Sequence, residues 1–188
     1  FEKSAEAYRV LAESYPDDDR TVESRLRAAW ANHHAGRYAD ALRLCDMRLA
    51  DETHEAEWLY LKANCQRQLL RHAVAADTYR LLLKAYPDSR FAQAGRYELA
   101  LALYNGGKYE AAVAEAAALV GGDKMQEDIY WLLAESYAAL DRADEAVQYY
   151  RLIARDYPES AVACEATYRL AYHLQSRADF VQAAENFA

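Results

Sequence analysis

The sequence offers few residues whose types and spacing could support chemistry. Its three cysteines, Cys45, Cys65 and Cys164, are far apart and odd in number, which disfavours a zinc site or a disulfide framework. We expect them to be buried, because free cysteine is among the most buried residue types. His33 and His34 form the only histidine cluster, but neighbours on a helix point about 100° apart. The sequence therefore predicts no metal site and no cofactor.

Catalytic motifs are also missing. The chain contains no glycine-rich phosphate loop, no nucleophile paired with a base and no His-Glu-x-x-His zinc motif. An isolated acid such as Glu135 is more often a solvated contact than a general base. We therefore predict a protein without enzymatic activity.

Composition narrows the class of protein. The 188 residues include only three prolines and six glycines, which favours long helices over an all-β fold. The net charge of −8 argues against a nucleic-acid partner, which requires a basic patch. No apolar run reaches the roughly 18 residues of a membrane span. The first residues, "FEKSAEAY", resemble neither a signal peptide nor a protein start, and we expect a fragment of a longer protein.

A repeated pattern organises the whole chain. Three Tyr-Pro pairs are evenly spaced, with their prolines at Pro16, Pro87 and Pro158. An anchor residue after each short turn also recurs, and a longer interval alternates with a slightly shorter one. These anchors are Phe1, Tyr38, His72, Tyr109, Ala143 and Phe180. Self-similarity of this length is typical of stacked helical repeats.

Small residues stand at two fixed offsets from these anchors. Nine positions before an anchor stand Ala29, Ala63, Ala100, Ala134 and Ala171. Three positions after an anchor stand Ser4, Ala41, Ala75, Ala112, Ala146 and Ala183. Helices that cross closely need small side chains at the crossing, so each unit is predicted to hold two packed helices, A and B. Gly36 and Gly107 would supply the positive φ of the turn between them, and proline would end helix B.

The pattern resembles the tetratricopeptide repeat, whose sketch includes A-x₃-F followed by proline. Here the motif reads Ala75-x₃-Tyr79 with Pro87, and Ala146-x₃-Tyr150 with Pro158, although the family's leading tryptophan is absent. The resemblance implies an all-α, right-handed α-solenoid, a superhelix of antiparallel helix hairpins. One solenoid would then span residues 1–188. Its predicted parts are a helix B at 1–15, repeats at about 20–50, 55–86, 91–120 and 126–157, and a partial repeat at 160–188.

The resemblance also implies a groove, since helix A lines the concave side in this family. Positions 2, 5, 9 and 12 of helix A, counted from seven positions before its alanine, share one face. The predicted partner-binding residues on that face are Trp30, Tyr60, Asn64, Tyr97, Leu101, Tyr104, Trp131, Glu135, Tyr168 and Tyr172. Position 2 adds an acidic edge at Glu23, Glu57, Asp128 and Glu165. Rings with a polar tip suit protein recognition.

Other interpretations of these residues stay open. The aromatic side chains could pack as core between neighbouring helices, and the acids could serve only to favour the positive dipole end of helix A. One binding mode is not expected. The carboxylate clamp of chaperone-binding members needs lysine at position 5, which is never basic here.

We therefore predict a protein-interaction scaffold that binds a polypeptide segment, neutral to basic, in an aromatic and mildly acidic groove. The alternative is a structural spacer or end-to-end self-association module within a larger multi-repeat protein. The stretches "YPDS" and "YPES" also resemble repeats of bacterial envelope proteins, such as the lipoprotein of the outer-membrane barrel-assembly machine and the periplasmic coordinator of the Tol–Pal system. That resemblance favours the bacterial periplasm or cell envelope, whereas free cysteines favour a reducing compartment.

Overall fold

The computed structural model describes residues 1–14, 20–47, 53–122 and 125–176. Over these ranges it contains ten α-helices and no strand. The helices are α1 (Glu2–Ser14), α2 (Arg20–His34), α3 (Tyr38–Asp46), α4 (Glu55–Gln68), α5 (His72–Ala85), α6 (Ala92–Asn105), α7 (Tyr109–Ala117), α8 (Gln126–Ala139), α9 (Ala143–Asp156) and α10 (Ala163–Ser176). The predicted all-α fold class of helix hairpins is confirmed.

The chain forms two compact units, and the division between them falls within α6. Unit 1 is Phe1–Ala102 and unit 2 is Leu103–Ala188. The core of unit 1 includes Leu26, Trp58 and Leu61, whereas that of unit 2 includes Tyr150 and Leu170. The helices lie within the predicted repeat bounds, while the assignment of all repeats to one solenoid stays a prediction.

Four turns between a helix A and the following helix B close in the same way. In the first turn, Gly36 N–H donates to His33 O at 3.0 Å and Arg37 N–H donates to Asn32 O at 2.9 Å. This is the Schellman pattern, which needs one residue in the left-handed region. In these turns the residues with positive φ are Gly36 (75°), Leu70 (59°), Gly107 (72°) and Asp141 (57°). Glycine fills two of these positions as predicted, while the other two hold residues with side chains.

Proline ends helix B as predicted. Both α5 and α9 stop two residues before a proline, Pro87 and Pro158, because proline lacks an N–H and disfavours helical φ/ψ in the preceding residue. Pro16 lies outside the described residues. After the second proline, the hydroxyl of Ser160 accepts a hydrogen bond from the Ala163 N–H at 3.1 Å and caps α10.

The predicted small residues lie at the helix crossings. Nine of them have no solvent-exposed surface: Ala29, Ala41, Ala63, Ala75, Ala100, Ala112, Ala134, Ala146 and Ala171. The prediction for Ser4 is wrong, because Ser4 is exposed and Ala5 is buried in its place. The reason is that α1 begins at Glu2, one residue after the anchor Phe1. Ala183 lies outside the described residues.

The cysteines differ from one another in burial. Cys45 and Cys65 are buried as predicted, but Cys164 is exposed, so the prediction is wrong there. The buried face of α10 runs through Ala163, Ala166 and residues one or two turns further on. Cys164 follows Ala163 directly, so it points about 100° away from that face.

Candidate partner-binding surface

The predicted groove residues mostly stay accessible to solvent. Nine of the ten are half-buried or exposed, and Asn64 alone is buried. Tyr168 and Tyr172 on α10 are the most open, at 53% and 57% exposure. Tyr97 and Leu101 lie half-buried on the part of α6 that belongs to unit 1. Solvent access leaves these side chains available, but their role in binding stays a prediction.

In unit 1 the aromatic side chains form a connected row, here called the unit 1 aromatic row: Trp30, Tyr60, Phe91 and Tyr79. The ring of Tyr60 lies 6.3 Å from that of Trp30, 5.1 Å from that of Phe91, on which it stacks, and 6.3 Å from that of Tyr79. Arg90 places its guanidinium 4.7 Å from the centre of the Phe91 ring, a favourable cation–π distance. The aromatic row is therefore partly core, since Tyr79 is fully buried.

Glu57 is not part of an acidic edge, and this prediction is wrong. Its side chain is buried, and it accepts hydrogen bonds from the Trp30 indole N–H at 2.8 Å and from Arg90 at 2.6 Å. Arg27 lies 3.9 Å away. Buried carboxylates need such partners, so Glu57 joins α2, α4 and the loop before α6. Glu23, Asp128 and Glu165 are exposed as the interpretation requires.

Asn64 also has an internal partner. The hydroxyl of Tyr79 donates to Asn64 Oδ1 at 2.5 Å, across the hairpin formed by α4 and α5. Burial raises the pKa of the Tyr79 phenol, so it stays a donor at every physiological pH. This amide oxygen therefore fixes the hairpin rather than facing a partner.

A second polar contact of unit 1 pairs opposite charges. Arg67 Nε lies 2.8 Å from Glu98 Oε2, and the two side chains are only 17% and 19% exposed. Burial raises the pKa of Glu98, and the charge of Arg67 opposes this rise without cancelling it. The pair leaves little net charge on this part of unit 1.

Unit 2 places a carboxylate where unit 1 has an amide. The hydroxyl of Tyr150 donates to Glu135 Oε1 at 2.6 Å. Arg169 Nε is 4.0 Å from the same oxygen but 2.8 Å from Glu165. Burial, then the charge of Glu135, raises the pKa of the half-buried Tyr104 phenol. Glu135 thus sits among phenols, with its closest cation held by another acid.

Several aromatic side chains of unit 2 lie near this carboxylate, and we call Tyr104, Trp131, Tyr150 and His173 the unit 2 aromatic cluster. The rings of Trp131 and Tyr150 meet edge to face at 5.9 Å. His173 stacks on Tyr150, also at 5.9 Å, and the exposed Tyr172 contacts His173. Edge-to-face and stacked geometries are the favourable ones for aromatic pairs, so these ring contacts stabilise the cluster.

Sequence reasoning placed two tyrosines in the repeat motif but missed the hydrogen bonds that they donate at these sites. Tyr79 and Tyr150 occupy the phenylalanine position of the A-x₃-F motif, and both are fully buried. A tyrosine in a buried phenylalanine position needs an acceptor for its hydroxyl. That signal could have led to Asn64 and Glu135, which stand at the same position of helix A relative to their tyrosines. No pattern in the sequence indicated that Phe91 would stack on Tyr60.

Two features are absent from the described ranges: a metal-holding group and a membrane-spanning helix. No group of three or more His, Cys, Asp or Glu residues there could hold a metal ion. None of the helices described is both long and apolar enough to cross a membrane.

Consecutive helix hairpins with crossing alanines place the protein in the class of helical-repeat proteins, which commonly serve as interaction scaffolds. Residues 92–161 match a family model described as tetratricopeptide repeat, and residues 59–89 match a second model with the same description. The chain therefore contains tetratricopeptide repeats over these residues.

Solved structures support the same fold. A structure titled "MamA RS-1 ArsTM double mutant" is 19% identical, with a TM-score of 0.78 over 90% of this chain and 92% of that one. A MamA fragment from Desulfovibrio magneticus RS-1, residues 41 to the end, is also 19% identical, with a TM-score of 0.74 over 98% of this chain and 91% of that one. Identities this low establish the likeness of fold alone. No curated protein sequence matches the chain.

Proposed function

We propose that this protein is a non-catalytic scaffold whose helix A residues bind a polypeptide segment of neutral to basic charge. The observation that carries the proposal is the solvent access of aromatic side chains at the groove positions. Tyr60, Tyr97 and Trp131 are half-buried, and Tyr168 and Tyr172 are exposed. Tyrosine and tryptophan are enriched at protein interfaces because they bury much area with few rotamers to freeze.

Charge supports the neutral to basic partner. The protein carries a net charge of −8, and the position 2 acids Glu23, Asp128 and Glu165 are exposed. A basic segment would be steered toward such a surface, whereas an acidic one would be repelled.

The proposal can be tested with peptides selected on the whole chain from a random display library. Affinity of the selected peptides is then measured by fluorescence anisotropy for the wild type and for a Tyr97→Ala plus Trp131→Ala variant. We expect a loss of tenfold or more, because aromatic hot spots contribute about 2 kcal/mol or more each. A Tyr168→Ala plus Tyr172→Ala variant repeats the test with rings that are more than half exposed, so folding is preserved.

A matched control removes exposed apolar side chains from a helix B. Val74 and Leu81 on α5 are each 52% exposed, and Val74→Ala plus Leu81→Ala should leave peptide affinity unchanged. Equal losses in the control and in both aromatic variants would contradict the proposal. Circular dichroism of each variant shows whether the fold is retained.

Self-association is the second candidate function, and exposed apolar residues on α1 and directly before it favour it. Phe1 is 73% exposed and Val10 is 47% exposed. Sedimentation equilibrium would show a mass that rises with concentration. A Phe1→Ser plus Val10→Ser variant should abolish that rise if α1 forms the contact.

We also propose a bacterial envelope location, on the resemblance of "YPDS" and "YPES" to envelope repeat proteins. Fractionation of cells that express the full-length protein tests it. Recovery from the cytoplasm alone would contradict the proposal.

A further inference from the structure

We propose that unit 2 receives one cationic side chain of the bound polypeptide, arginine or lysine, at the carboxylate of Glu135. This inference rests on the proposed function and names the chemistry that unit 2 recognises. It predicts that a partner must carry arginine or lysine at one defined position. A positive charge spread over the segment would not be sufficient.

The geometry of Glu135 suits a cation-binding carboxylate. Its side chain is 17% exposed, so most of it is enclosed by protein and part of it remains open to solvent. One oxygen already accepts the Tyr150 hydroxyl at 2.6 Å, which fixes the carboxylate in place. A carboxylate has about four acceptor positions, so further donors can bind without displacing this tyrosine.

Among the described residues of unit 2, the charge around Glu135 is only partly balanced. In the described part of unit 2 the nearest cation is Arg169, but its Nε lies 4.0 Å from Glu135 and 2.8 Å from Glu165. One guanidinium therefore serves two carboxylates and makes its hydrogen bond to Glu165. A second guanidinium or ammonium at Glu135 would neutralise the remaining negative charge.

The surrounding rings favour the same ligand. Trp131 is half-buried and contacts Tyr150 at 5.9 Å, so an indole ring lies near the carboxylate. A cation is attracted to the face of an aromatic ring, most strongly to tryptophan. A carboxylate beside aromatic rings is thus a better receptor for arginine or lysine than for a neutral side chain.

Unit 1 provides an internal comparison that lacks the feature. The residue that corresponds to Glu135 in the repeat pattern is Asn64, a neutral amide occupied by Tyr79. A largely buried acid on α6 of unit 1, Glu98, is paired with Arg67 at 2.8 Å. Unit 1 therefore has no unneutralised carboxylate at the corresponding place and should not select a cation there.

The test uses N-acetylarginine amide as the probe and N-acetylcitrulline amide as its neutral isostere. Both are titrated into the ¹⁵N-labelled whole chain, and the indole signals of Trp30, Trp58 and Trp131 are followed by NMR. We expect the arginine probe to shift the Trp131 signal saturably, with much smaller shifts for the other two. The citrulline probe should cause no saturable shift.

Three variants identify the carboxylate responsible. Glu135→Gln keeps an acceptor for Tyr150 and should weaken binding of the arginine probe at least tenfold. Glu159→Gln removes the same charge from an exposed position of unit 2 and should change binding less than twofold. Arg169→Gln removes the competing cation and should strengthen binding severalfold.

Two outcomes with the small probes would overturn the inference. One is equal binding of the arginine and citrulline probes, and the other is unchanged arginine binding by a folded Glu135→Gln variant. A result with the selected peptides distinguishes failure of this inference from failure of the proposed function. A selected peptide that loses affinity in the Tyr168→Ala plus Tyr172→Ala variant but not in Glu135→Gln would leave the scaffold intact and remove only the cation site.

Discussion

Unit 1 and unit 2 each contain a buried tyrosine at the same repeat position, but the two hydroxyls donate to different kinds of acceptor. Tyr79 donates to Asn64 in unit 1, and Tyr150 donates to Glu135 in unit 2. Each member of the second pair occupies the same place in the repeat pattern as its counterpart in the first. The hydrogen bond across the hairpin is retained, while the acceptor changes from a neutral amide to a carboxylate.

The residues beside these two sites also differ in charge. Glu98 in unit 1 corresponds to Arg169 in unit 2, and Arg67 corresponds to Ala138, which carries no charge. In unit 1, Arg67 and Glu98 therefore form an ion pair with each other. In unit 2, Arg169 lies between two acids, Glu135 and Glu165. The comparison shows that the repeat preserves the buried tyrosine and its hydrogen bond across the hairpin, which we call the shared frame. The charge beside this frame varies.

The largest effect should come from removing the shared frame. We expect Tyr79→Ala and Tyr150→Ala each to lower the free energy of unfolding by about 3–5 kcal/mol, because a large, fully buried ring is lost. Urea unfolding measures the loss. Hydrogen exchange should place it within the unit that carries the substitution, since repeats are stabilised mainly by their neighbours.

The control is Tyr172→Ala, which removes a ring that is 57% exposed and should cost no more than about 0.5 kcal/mol. Losses at Tyr79 and Tyr150 that differ by more than about 2 kcal/mol, well beyond the spread expected of equivalent core sites, would mean that the two units do not share a frame.

The helical scaffold is the part of the structure that the sequence predicts well. Helix pairs, turn glycines and crossing alanines follow from periodicity and from the size of side chains, which are local properties. The burial of Glu57 and Asn64 could not be predicted in this way, because it depends on Arg90, Trp30 and Tyr79 reaching them from other elements. Ser4 was misplaced for a smaller reason, a one-residue shift in where α1 begins.

A smaller effect should come from removing the two hydroxyls alone. Tyr150→Phe leaves a carboxylate without its donor and should cost about 1.5–3 kcal/mol, whereas Tyr79→Phe affects a neutral amide and should cost about 0.5–1.5 kcal/mol. Urea unfolding of both variants measures the difference. Adding Glu135→Gln to Tyr150→Phe should reduce its cost to the range of unit 1, and equal costs for the two single variants would contradict the argument.

The turns offer a third comparison, with an expected effect of about 1 kcal/mol. Leu70 adopts a φ of 59° where glycine stands in two other turns, and the left-handed region costs other residues about 1–2 kcal/mol. Leu70→Gly should therefore raise the melting temperature, and Gly36→Leu should lower it. A Cβ at Gly36 would meet nothing within 4 Å, so any loss there is conformational.

Leu70→Ala is the matched control, because it shortens the side chain and keeps the backbone strain. An equal gain from alanine and glycine would show that the leucine side chain, and not φ, is responsible. Asp141→Gly in unit 2 should give a smaller gain than Leu70→Gly, since aspartate tolerates the left-handed region better than leucine.

The smallest effect should come from two histidines, because both imidazoles are only half-buried. Burial lowers the pKa of His33 in unit 1, and the charges of His34 and Arg67 lower it further. Burial and Arg169 lower the pKa of His173 in unit 2, but there the charge of Glu135 raises it. The carboxylate that distinguishes unit 2 therefore acts on only one of the two histidines.

The direction of the pH dependence follows from linkage. A lowered pKa in the folded state means that the unfolded chain binds the proton first, so the histidine contribution is complete above about pH 6.5 and is lost as the pH falls below it. His33→Gln and His173→Gln should each make stability fall less steeply between about pH 6.5 and pH 5. NMR titration of Glu135→Gln should lower the midpoint of His173 further and leave that of His33 unchanged. If both midpoints moved together, Glu135 would not be the source of the difference between the units.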